Sequence, residues 1–147
     1  MPLLLDYLLI LLSLFCIVSD ISKREMYNLN IVLILLVSLY LSCQTASDIF
    51  YSILICTFIG LFFIIVPIWG GGDSKLIISL APLFSPPQLL DFFVATLLCG
   101  GFLSIFYWLK YHFLFRGKVD RGLPYGVAIL CGANISLYFS QGLEIYS

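Results

Sequence analysis

Long apolar blocks separated by short polar punctuation dominate the chain, and six of them are candidate helices. They run from Leu3 to Ser19, Leu29 to Cys43, Ile49 to Trp69, Leu76 to Phe84, Leu89 to Leu109 and Leu123 to Phe139. A helix needs about 20 mostly apolar residues to cross a hydrocarbon core of ~30 Å. The pattern therefore predicts the all-α class and a polytopic membrane protein with about six transmembrane helices. The fourth block is short. At a rise of ~1.5 Å per residue, the stretch from Ser74 to Ser85 covers only about 18 Å, and Pro82, Pro86 and Pro87 punctuate its end. Either the bilayer is thin there, or Gly70-Gly71-Gly72-Asp73 lies below the membrane surface.

Composition sharpens this picture. Of 147 residues, 62% are hydrophobic and 10% charged, against roughly 25% charged in soluble domains, so a soluble globular protein is excluded. Six crossings with short connections occupy residues 1–147 as a single membrane-embedded domain, with the lipid bilayer as its surroundings and nucleic acid excluded as a partner. The run from Leu3 to Val18 lacks a basic leading region and a small-x-small cleavage site, and reads as a retained first span. Cys16, Cys43, Cys56, Cys99 and Cys131 form no CxxC pair and read as small packing residues in or beside apolar segments.

Charge placement orients the spans. Six crossings put the connections around residues 20–28, 70–75 and 110–122 on one side and those around 44–48 and 85–88 on the other. All seven basic residues, Lys23, Arg24, Lys75, Lys110, Arg116, Lys118 and Arg121, then share the first side. The positive-inside rule makes that side cytoplasmic and leaves both termini outside.

Two acids return to the cytoplasmic side. Asp20 and Asp73 are 53 residues apart, room for one crossing outward, a turn and one crossing back. Ionisable groups at such positions are costly to bury and point to function. Asp73 follows three glycines, which tolerate unusual backbone angles and let another chain approach closely. Two neighbouring carboxylates sharing one proton can take a proton from water and deliver one to a departing amine, as peptide hydrolysis requires. The plainer reading is that each acid caps a helix or pairs with a base such as Arg24 or Lys75.

These residues resemble the type IV prepilin peptidases, polytopic aspartic peptidases with a GxGD motif. The resemblance rests on Gly70-Gly71-Gly72-Asp73-Ser74-Lys75-Leu76, on Asp20 followed by Lys23, Arg24 and Asn28, and on Leu123-Pro124-Tyr125-Gly126-Val127-Ala128 opening the last span. It implies that Asp20 and Asp73 are the catalytic pair, the roles of acid and base unassigned between them, with neither metal nor cofactor. Lys23, Arg24, Asn28, Gly70, Gly71, Gly72, Lys75, Pro124, Tyr125 and Gly126 are the substrate-binding or site-shaping positions. Tyr27 stands where the family often has proline, which points to a looser turn at Asn28.

The chain is most similar to the short form of the family, typified by tight-adherence (Flp) pilus peptidases. The connection after the first span is too short for the insertion that long forms carry, so methyltransferase activity is not implied. The resemblance implies a bacterial cytoplasmic (inner) membrane protein whose active site faces the cytoplasm. Its partner is a prepilin substrate, cut on the cytoplasmic side just before the hydrophobic segment, typically after glycine. Lys23, Arg24 and Lys75 could attract a substrate acid, whereas Lys110, Arg116, Lys118 and Arg121 suit anionic headgroups. His112 reads as interfacial; Gly60, Gly100 and Gly101 read as helix-packing residues. Competing readings are a preflagellin peptidase or signal-peptide-peptidase-like protease, a small ion-coupled transporter carrying a cation on the two acids, and a non-enzymatic assembly subunit. Nothing in the sequence fixes an oligomeric state.

Overall fold

The computed structural model describes residues 2–23, 26–66, 70–113 and 124–142. It is all-helical in these residues: α1 Pro2–Lys23, α2 Asn28–Leu41, α3 Ala46–Ile65, α4 Gly71–Leu80, α5 Gln88–Phe113 and α6 Tyr125–Gly142, with a 3-10 turn, Ala81–Leu83, after α4. Each apolar block becomes one helix. The fourth is as short as its sequence predicts, and the boundaries elsewhere move by a few residues.

Among the described residues two helices are long and apolar enough to cross a membrane, Ala46–Ile65 with a mean hydropathy of 2.3 and the Gln88–Lys110 portion of α5 with 2.1. Only 17% and 22% of these windows are buried inside the protein. Phe58, Phe62, Ile65, Leu97, Phe102 and Phe106 all point outward. The buried helix of a soluble domain would hide these side chains; here the apolar surface faces out, as a lipid solvent permits.

Helix α4 is the hub. It packs against α2, α3 and α6, while α1 packs on α2 and α6, and α5 on α6. Leu76, Ile77 and Leu80 of α4 join Cys16, Ile34, Cys56, Phe84, Phe92 and Ile129 in one buried cluster, and Phe84 and Phe92 stack with centroids 4.8 Å apart.

Serines fix the register of α4 by hydrogen-bonding to neighbouring carbonyls. Ser74 Oγ donates to the Gly60 carbonyl at 3.1 Å, and Ser52 Oγ to the Phe84 carbonyl at 2.8 Å. A Cβ on Gly60 would lie 3.2 Å from that of Ser74, so the glycine admits the close crossing. Because α3 continues from Gly60 to Ile65, Asp73 stops about 6 Å short of the end of α3 along its axis. At the opposite end, Ser52 stands about 9 Å inside the start of α3. The short helix is thus recessed at both ends relative to its neighbour.

Helices α5 and α6 cross most tightly at Gly132. A Cβ there would fall 2.5 Å from Thr96 Oγ1, 2.6 Å from its backbone nitrogen and 2.7 Å from its Cα. Gly100 makes an ordinary contact with Tyr125 and Ala128, whereas Gly101 has nothing within 4 Å and is not a packing glycine.

Candidate active site

Asp20 lies in the last turn of α1 and is 7% exposed. Its burial is matched by a fixed donor: the Gly126 amide, in the first turn of α6, donates to Asp20 Oδ2 at 3.0 Å. Amides of a first helical turn have no partner within their own helix, so a carboxylate placed there meets both a hydrogen bond and the favourable end of the helix dipole. Pro124, fully buried just ahead of α6, lacks an amide of its own and leaves that donor role to residues further in. Gly126 is also crowded by side chains, because a Cβ would stand 2.8 Å from Asp20 Oδ2 and 2.5 Å from Met26 Cε.

Asp73 is the third residue of α4 and caps it. Its Oδ2 accepts from the Gly70 amide at 3.0 Å, one half of a capping box, the other half being closed to a glycine N-cap without a side chain. The capping reading of Asp73 is therefore correct as far as it goes. The three glycines do not form a loose turn: Gly70 is the extended N-cap (φ −80°, ψ 161°) and Gly71 and Gly72 are helical. None adopts a positive φ. A Cβ on Gly72 would make an ordinary contact, 3.4 Å from Met26 Cβ, Cγ and Sδ, and one on Gly70 would lie 3.5 Å from Asp73 Oδ2, whereas Gly71 has nothing within 4 Å.

The two carboxylates share a cleft of about 360 Å³ lined by Asp20, Met26, Tyr27, Asn28, Gly70, Gly72, Asp73 and Lys75. Lys75 Nζ donates to Asn28 Oδ1 at 3.0 Å, tying α4 to the start of α2. Tyr27 takes φ −70° and ψ 123° as the N-cap of α2. Those angles suit proline, so the turn keeps the expected shape without it, and Asn28 is held through Lys75. Lys23 donates to Tyr27 Oη at 3.0 Å and sits over the same ring. Gly71, Lys23, Pro124, Tyr125 and Gly126 do not line the cleft; Gly126 supports it from behind Asp20. Arg24, Trp69, Arg116, Lys118, Arg121 and Leu123 lie outside the described residues.

Sequence reasoning missed Met26 as a wall of the site and Gly132 as the tightest helix crossing. A signal for the second was present: Ala128, Gly132 and Ser136 repeat at four-residue spacing on α6, as Thr96, Gly100 and Ser104 do on α5. Such stripes of small residues mark close helix contacts in membranes. Met26 gave no signal, because a lone methionine in a connection has no periodicity to read.

The described residues thus form an all-helical bundle with outward apolar faces and one polar cleft walled by two carboxylates. Residues 7–105 match the type IV leader peptidase family, and the chain belongs to that family of peptidases. The matched segment includes most of α1, all of α2 to α4, with both aspartates, and most of α5; α6 lies beyond it. No curated protein and no solved structure matches the chain.

Proposed function

We propose that the protein is a membrane-embedded aspartic endopeptidase that removes the leader peptide of prepilins at the cytoplasmic face of the bacterial inner membrane. Six helices span the bilayer with both termini outside, and residues 1–147 act as one domain. The observation that carries this reading is that Asp20 and Asp73, from the ends of different helices, wall one cleft beside Lys75.

In the proposed reaction one carboxylate removes a proton from water, the resulting nucleophile adds to the scissile carbonyl, and the other carboxyl protonates the departing amine as the C–N bond breaks. The Gly126 and Gly70 amides hold one oxygen of each acid, which helps to keep both carboxylates oriented. The recessed start of α4 supports a cut close to the membrane surface, where a leader meets its hydrophobic segment. Only residues 24–27 separate α1 from α2, which favours peptidase chemistry alone, without methyl transfer.

The test is to incubate membranes containing the protein with a panel of prepilin leader peptides and map products by mass spectrometry. Cleavage just ahead of the hydrophobic segment is expected. Intact peptides under all conditions contradict the reading.

A further inference from the structure

We infer that Met26 sets the size of the substrate residue that can lie beside the scissile bond; this rests on the peptidase reading above. The side chain runs across the site. Its Cβ, Cγ and Sδ all lie 3.4 Å from where a Cβ on Gly72 would be, immediately before Asp73. Its terminal Cε lies 2.5 Å from the corresponding position on Gly126, whose amide holds Asp20. One methionine thus bridges the glycine preceding one carboxylate and the glycine that supports the other.

Among the described residues, Met26 is the apolar side chain best placed for this selection. Asp20, Asn28, Asp73 and Lys75 are polar, and Gly70 and Gly72 have no side chains. Tyr27 is 41% exposed, with its ring engaged by Lys23 and Phe15. Met26 is half-buried, packs against the apolar core and lines the cleft. A scissile bond attacked between the two carboxylates brings a flanking residue against this side chain. Methionine is unbranched and adaptable, so a small residue fits against it and a bulky one must displace it from both glycine faces.

The test is a peptide series varied at each of the two residues flanking the cut through Gly, Ala, Val and Leu, assayed with the unmutated protein, Met26→Ala and Met26→Phe. The unmutated protein is expected to prefer the small residue at one flanking position. Met26→Ala is expected to relax that preference at least tenfold, in the range one to several methylenes confer in an apolar pocket, and Met26→Phe to sharpen it. Met26→Val serves as the second enlarging variant if Met26→Ala does not accumulate. A uniform change in kcat/KM across the series, with preference unaltered at both positions, makes Met26 a structural residue and overturns the inference. Absence of cleavage of every peptide by the unmutated protein removes the peptidase reading itself, and the inference with it.

Discussion

The Gly126 amide and the Asp20 carboxylate, 106 residues apart in the chain, meet in a buried hydrogen bond of 3.0 Å. This contact joins the last helix to the first and gives the buried acid its orientation. Gly126→Ala retains the donor but places a methyl group 2.8 Å from the Asp20 oxygen. Both crowded groups are side-chain ends, so the fold has room to adjust while the carboxylate moves. Activity is expected to fall about 100-fold, the scale of an ~1 Å misplacement of a reacting group, with abundance near normal. Kinetics alongside a thermal melt in detergent check this; equal losses in both contradict it.

Gly132 and Gly101 separate packing from mere occurrence. A methyl on Gly132 meets Thr96 backbone atoms at 2.6 and 2.7 Å, which α5 cannot yield without shifting. Gly132→Ala is expected to destabilise by about 1–3 kcal/mol, as overpacked sites do. Gly101→Ala enters open space and should stay within about 0.5 kcal/mol. Thermal unfolding of the two variants in one detergent decides the matter.

Lys75 is held by Asn28 at the edge of the cleft. If its ammonium steers substrate, Lys75→Met raises KM about tenfold at low salt and Lys75→Arg restores most of the loss. The difference should shrink as salt rises, because exposed charges are screened beyond ~10 Å at 0.1 M. Steady-state kinetics at two ionic strengths measure this, and a salt-independent loss assigns Lys75 a structural role through Asn28.

The proposed orientation places positions 23, 75 and 118 in the cytoplasm and position 48 outside. Single cysteines at these positions, with the five native cysteines replaced, are expected to react with an impermeant reagent only from the assigned face. Labelling of position 118 from outside overturns the map.

Much of this architecture was legible because it is written in long apolar runs. Each of the six blocks became a helix, and Pro82, Pro86 and Pro87 marked the end of the short fourth one. The convergence of Asp20 and Asp73 followed from counting crossings, and both line one cleft. Local contacts were less legible. Gly70 to Gly72 read as tolerating unusual backbone angles and a close approach of another segment; ordinary dihedrals start α4 there instead, and Met26 makes an ordinary contact at Gly72. Tyr27 looked like a loosened turn, but backbone angles compatible with proline do not require proline. Gly101 and Gly132 cannot be ranked from identity alone, since only the facing helix decides which is crowded.

The most direct test of the central claim is cleavage of a prepilin leader peptide by Asp20→Asn and Asp73→Asn, with the double mutant beside them. Asparagine preserves size and can still meet the Gly126 and Gly70 amides through its carbonyl oxygen, but it cannot exchange the catalytic proton. Each single variant is expected to lose cleavage while inserting and accumulating normally. The double mutant should be about as inactive as either one, because groups that act as a unit are not additive. Asp48→Asn and Asp91→Asn, which alter the first turns of α3 and α5, should retain activity. Cleavage at close to the original rate in either Asp20→Asn or Asp73→Asn contradicts the account.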